Sequence, residues 1–267
     1  MTPWPGPPPI AGEHGAWAML LIPLVLGFAV GRGGSPAALW AAAGMVLLFL
    51  ARGASIPAAA RLLGGRPLPV GYLPRRLAWT AIYTFAAIAC FVGVLAKVPS
   101  AEREIVVLAA VLPLGLGIAH SVLGLAGRDR ALFGEIVGMA GLAAAAPLVA
   151  AAAAARLERW AVGAGALALG YFLSSLAFVR AFRRIKETGR LPKGRCLAAH
   201  TGIGAGLVAL VALRFLPALA LASFVPIAVR TAWGLARPPR NLKILGWREV
   251  TVAASFVAIA AAAFLAS

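Results

Sequence analysis

The residues of this chain that can do chemistry are few, and they recur at the edges of apolar runs. Glu13 and His14 stand together in the stretch GEHGAWAML, at the doorway of the first run. Arg52 closes the second run, His120 lies near the end of the fourth, and Glu135 sits one turn into the fifth. Arg180 closes the sixth, His200 starts the seventh and Glu249 starts the ninth, while Arg66, Arg190, Asn241 and Lys243 lie in connecting segments. Ionisable residues at membrane helices are uncommon, and they turn toward the bundle interior or a water-filled cavity. Arginines such as these suit a phosphate or carboxylate, held by charge-assisted hydrogen bonds with no bridging metal. Glu13, His14 and Glu135 are the candidates for acid–base work.

Position sharpens some of these readings. An anion is favoured in the first turn of a helix, so Glu13 fits a capping role there, whereas a protonated imidazole is better placed at the other end. His14 therefore gains nothing from its place. We expect Glu13 and His14 to reach into a cavity mouth, facing Glu135 and the basic loops. Glu135 lies in LFGEIVGMAG, where small apolar neighbours imply close packing and a buried carboxylate needs a partner. Arg52 or Arg180 would serve, and the three would either tie spans two, five and six together or share a ligand. His120 and His200 suit interhelical hydrogen bonds better than haem ligation.

The elements that must hold these residues are membrane helices. Of 267 residues, 62% are hydrophobic and 12% charged, with a mean hydropathy of +0.92, too little polar surface for a soluble domain of this length. Runs of about 20 apolar residues span a bilayer. Nine such runs are read at 15–31, 36–51, 78–97, 104–125, 131–154, 159–180, 197–213, 215–230 and 249–266. The second and eighth are short, and Pro147 is expected to kink the fifth. The dominance of Ala, Leu, Val and Gly, without period-two alternation, favours an all-α bundle over a membrane β-barrel. Residues 1–14 read as a proline-rich surface arm with no cleavable signal peptide, and 15–267 as one transmembrane domain. Cys90 and Cys196 give no disulfide framework. The small-residue stretch GIGAG at 202–206 and the pair Gly134/Gly138 suit close helix packing, within the bundle or in a dimer; the oligomeric state stays open.

The net charge of +17 follows from topology and does not imply nucleic-acid binding. With the N-terminus inside, 19 of the 25 Lys and Arg fall in inner loops and 6 in outer ones. The positive-inside rule then places the N-terminus in, the C-terminus out, and every candidate residue near the cytoplasmic end of a bacterial inner membrane. Two inner loops echo one another: GGRPLPVG after span two and GRLPKG after span six, with Arg66 and Arg190 separated by 124 residues. That offset suggests a repeat relating spans 1–4 to spans 5–8, an arrangement that in membrane proteins often frames a site.

The stretch RGASIPAAARLLGGRPLPVG, Arg52 to Gly71, resembles the first motif of the UbiA superfamily of intramembrane prenyltransferases. The tail is present as Arg66, Pro67, Leu68, Pro69 and Gly71, and Arg61 fits the motif's arginine. Arg52 and Gly53 stand where the motif has Asn-Asp, Ile56 and Ala60 stand where its two later aspartates would be, and the region of the second acidic motif, 172–195, offers only Glu187. The resemblance implies a UbiA-like bundle. Without hard oxygen ligands for Mg²⁺ it does not imply prenyl transfer or Mg-diphosphate as cofactor. A closer resemblance is to the YwiC-like family of bacterial membrane proteins. It is carried by Glu13, His14, Gly15, Ala16 and Trp17, with Arg52, Glu135, Arg180 and the stretch NLKILGWRE from Asn241 to Glu249. It implies a multi-pass membrane location and no particular reaction.

Three readings follow. The first is a polytopic protein that binds an anionic or amphipathic small molecule or lipid, an isoprenoid included, in a cytoplasm-facing cavity. The second is a divergent UbiA-like enzyme on an isoprenoid or lipid. The third is a proton-coupled transporter with Glu135 and the histidines as relay. Membrane lipids are the expected partners, and no metal ligand or cofactor is assigned.

Overall fold

The computed structural model describes residues 6–9, 14–64, 69–189, 191–238 and 242–267. Ten α-helices form among them: α1 (His14–Val30), α2 (Pro36–Leu63), α3 (Tyr72–Lys97), α4 (Arg103–Leu125), α5 (Leu132–Ala143), α6 (Ala145–Ala154), α7 (Arg159–Thr188), α8 (Lys193–Ala212), α9 (Val225–Ala236) and α10 (Leu242–Leu265). No strand occurs among the described residues. Eight segments are long and apolar enough to cross a membrane, and α1 is a shorter apolar helix beside them.

The nine expected spans are all present, with altered ends. α2 is not short. Ser35 caps it by accepting from Ala38 N at 3.1 Å, Pro36 occupies its first turn, and it runs on to Leu63 past Pro57. Proline lacks the N–H that would meet Gly53 O, and Arg76 of α3 donates to that carbonyl instead, at 3.0 Å. α3 and α7 likewise extend beyond the expected apolar limits. The break in span five falls at Ala144, three residues before Pro147. It frees the Ala143 carbonyl, over which α7 packs closely at Gly165. Span eight begins as a 3₁₀ turn, Ala218–Phe224, and becomes α-helical only at Val225.

The centre of the bundle is built on α1, α6, α7 and α10. Leu26, Ala146, Leu167, Ala168, Phe172, Phe256 and Ala260 are buried there, with Tyr171 stacked on Phe256 at 4.6 Å between ring centroids. Gly27 brings α1 close enough to α6 that a Cβ would lie 2.7 Å from Ala146 O, so van der Waals packing of small residues holds this pair. The GIGAG stretch on α8 behaves differently. A Cβ at Gly202, Gly204 or Gly206 meets nothing within 4 Å, so these glycines do not mediate packing within the described bundle. Cys90 and Cys196 are free and buried. Residues 6–9 of the proline-rich arm lie against the start of α3, where Trp79 Nε1 donates to Gly6 O at 3.2 Å and Arg75 donates to Pro7 O.

Candidate functional site

A cavity of about 1110 Å³ opens among α1, α2, α3, α4, α5, α7 and α10. Its walls are mostly apolar, supplied by Met19, Leu48, Phe49, Leu114, Met139 and Leu142 among others. Its polar lining gathers Arg52, His120, Asp129, Glu135, Tyr171, Ser175 and Glu249. Four residues picked from the sequence therefore meet in one space, and they arrive from α2, α4, α5 and α10.

Three ion pairs frame it. Glu135 Oε2 accepts from Arg180 Nη2 at 2.7 Å and Nε at 2.9 Å, joining α5 to α7. Arg180 Nη2 also reaches Arg130 O at 3.4 Å. Glu249 Oε1 accepts from Arg230 Nη1 at 2.6 Å, joining α10 to α9, while its Oε2 accepts from Ser175 Oγ at 2.8 Å. Arg230 also lies over the Phe178 ring, 4.1 Å from its centroid. The third pair is loose: Arg52 Nη2 stands 3.8 Å from Asp129 Oδ2.

The expected partner of Glu135 is thus Arg180 and not Arg52. The tight turn after α4 carries Asp129 to Arg52 instead. Two glycines allow that approach: Gly134 sits against the backbone of Arg128 and Asp129, and a Cβ at Gly124 would lie 2.9 Å from Ile56 and 3.5 Å from Arg52 Nη2.

The buried polar atoms of the cavity lining that lack a partner are nitrogens. Among the described residues, Arg52 Nε and Nη2 and His120 Nδ1 are buried with no hydrogen-bond partner. Buried polar atoms are normally satisfied, so such atoms at a cavity wall invite a ligand or water. The His120 ring lies against Gly138, where a Cβ would come within 2.7 Å of Nε2. Gly138→Ala is accordingly expected to push His120 off its place and to cost about 1–3 kcal/mol by overpacking. Thermal unfolding in detergent checks this, and an unchanged midpoint would show that the ring is not held there.

His200 belongs elsewhere. Its Nδ1 pairs with Cys196 O at 2.7 Å and its Nε2 with Thr231 Oγ1 at 3.0 Å, so both nitrogens tie α8 internally and to α9. His14 opens α1, and Ala16, two residues on, lines the cavity. Glu13, Arg66, Arg190 and Asn241 lie outside the described residues, as do the side chains of His14 and Lys243. Arg61, which fits the arginine of the prenyltransferase motif, is exposed and stacks over Tyr72 at 5.2 Å. Among the described residues, no three His, Cys, Asp or Glu side chains converge as a metal ion would need.

The sequence alone does not single out Asp129, Tyr171, Ser175 or Arg230. Tyr171 and Ser175 carry a signal, being polar residues one turn apart inside an apolar run, with Tyr171 OH reaching Glu249 O at 3.4 Å. Arg230 carries none that separates it from a loop charge.

A helical bundle of eight or nine apolar spans around a polar-headed cavity defines a polytopic membrane protein. The sequence profile of the YwiC-like protein family matches residues 10–150, just over half of the chain, and the protein belongs to that family. The match takes in α1 to α5 and the first part of α6, and with them Arg52, His120, Asp129 and Glu135; Arg180, Arg230 and Glu249 lie beyond it. No curated protein and no solved structure matches the chain.

Proposed function

We propose that this protein binds an amphipathic molecule with an anionic head, a small molecule or a lipid, in the cavity headed by Arg52, and that it does so without prenyl transfer. One observation carries the reading. The carboxylates of Glu135 and Glu249 are each engaged by an arginine, whereas Arg52 and His120 keep buried nitrogens unpartnered at the same cavity. A head group rich in acceptor oxygens meets that need by charge-assisted hydrogen bonds, and the apolar walls match a hydrocarbon tail. A relay through Glu135 and the histidines is less well supported, because Glu135 is clamped by Arg180 and His200 is satisfied outside the cavity.

The site is read as facing the cytoplasm of a bacterial inner membrane, from the distribution of Lys and Arg. A reporter fused to the C-terminus should be active outside the cytoplasm; activity only inside would reverse the orientation. The repeat of spans 1–4 in spans 5–8 is supported by crosswise packing. α1 of span one packs on α7 of span six, and α2 of span two packs on α6 of span five. Native mass spectrometry of the protein in mild detergent tests the binding reading. A discrete bound mass is expected and should be lost in Arg52→Gln. Absence of any bound species at millimolar acidic lipid would overturn it.

A further inference from the structure

Helix α3 is held mainly by one neighbour. It packs along α2 and makes no comparable contact with α4 among the described residues, although only a short turn joins the two. The cavity wall crosses the gap between them: Thr80 and Thr84 of α3 and Gly117, Ile118 and Ser121 of α4 line the same space as Arg52. The α4 edge of this wall is also outer surface. Leu114, Ile118 and Val122, on successive turns, line the cavity and are 36%, 66% and 59% exposed, more than an enclosed wall would allow. They stand on a segment of mean hydropathy 2.2, so what they face outward is hydrocarbon. Two of the hydroxyls at the gap are turned back onto their own helices, Thr80 Oγ1 to Arg76 O and Ser121 Oγ to Gly117 O, both at 2.8 Å. The gap therefore has largely apolar edges and opens onto Arg52, whose only charged partner among the described residues, Asp129, is loosely placed.

We infer that this slot between α3 and α4 admits the ligand sideways from the bilayer, and that the ligand is a membrane lipid with an acidic head, not a water-soluble anion. The inference rests on the reading that Arg52 receives an anionic head. Its geometry adds the tail: with the head at Arg52, an acyl chain leaves between Thr84 and Ile118 into the hydrocarbon without crossing a polar rim.

Gly117 supplies the test, because a Cβ there meets nothing within 4 Å and a larger side chain grows into open slot. The variants are Gly117→Phe and, from the opposite wall, Thr84→Trp. The probes are dioleoyl phosphatidic acid, offered in phosphatidylcholine nanodiscs, and dihexanoyl phosphatidic acid, offered in water to the detergent-solubilised protein. Native mass spectrometry reads occupancy. The wild type should hold both. Both slot variants should lose the long-chain lipid by about tenfold or more while keeping the short-chain one, and that retention also reports an intact fold. Slot variants that keep the long-chain lipid, or lose both probes alike, overturn the inference. Failure of the wild type to hold either probe overturns instead the reading of Arg52 beneath it.

Discussion

Replacing Glu249 by alanine is expected to destabilise the protein by about 3–5 kcal/mol, the cost of stripping one partner from a buried ion pair. The side chains of Arg230 and Glu249 are 5% and 16% exposed, and their contact is 2.6 Å. Arg230 Nε and Nη2 are already without hydrogen-bond partners, so the carboxylate is what holds this guanidinium at its depth. Without it, Arg230 keeps only the face of Phe178, which is worth far less than the desolvation of a buried charge. Ser175 loses its acceptor in the same step. Glu249→Gln, which keeps an oxygen for Ser175 and gives up the charge, should cost less. The double variant Glu249→Leu/Arg230→Met should recover most of the loss, because no uncompensated charge remains. Unfolding in mixed micelles, run as a double-mutant cycle, is the measurement. Additive single losses would mean that the pair is not coupled.

What the sequence discloses and what it hides follow different physics. The spans are legible because a bilayer requires long apolar runs whatever the neighbours. Helix ends are not. α2 continues from its apolar half into GASIPAAARLL because backbone hydrogen bonding propagates beyond the hydrocarbon limit, and Arg76 repairs the carbonyl freed by Pro57. The union of Arg52, His120, Glu135 and Glu249 is legible because each stands at the same end of its span, and alternating topology brings those ends together. The Glu135–Arg180 pair follows from the same argument. The partner of Arg52 does not, since Asp129 stands between Arg128 and Arg130 in a connecting turn and reads as one loop charge among several. Its approach depends on close contacts at Gly124 and Gly134, which are tertiary facts. Arg230 is hidden by the 3₁₀ turn at Ala218–Phe224. That turn postpones the start of α9, so a residue expected at the end of a span lies in the middle of a helix.

The loose pair at Arg52 leads to the second large effect. Asp129 Oδ2 at 3.8 Å is too far for a good hydrogen bond, and both side chains are about a third exposed, at 29% and 31%. A pair of this kind contributes little to stability, so Arg52→Gln should leave unfolding nearly unchanged. Ligand affinity should respond differently. Truncating one member of a desolvated, hydrogen-bonded charge pair costs about 2–5 kcal/mol, and each 1.4 kcal/mol or so is tenfold. Arg52→Gln should therefore weaken binding of dihexanoyl phosphatidic acid by about 30-fold or more. Arg52→Lys should recover only part of it, because an ammonium lacks the planar fork that grips two oxygens at once. Asp129→Asn should act in the opposite direction: it removes the anion that competes for Arg52 and tightens binding. Titration of the detergent-solubilised protein measures all three. A choline-headed lipid of the same chain length is the control, and its affinity should not follow the charge at position 52. Parallel losses for the acidic and choline-headed lipids would assign Arg52 to the architecture of the cavity and not to the recognition of an anion.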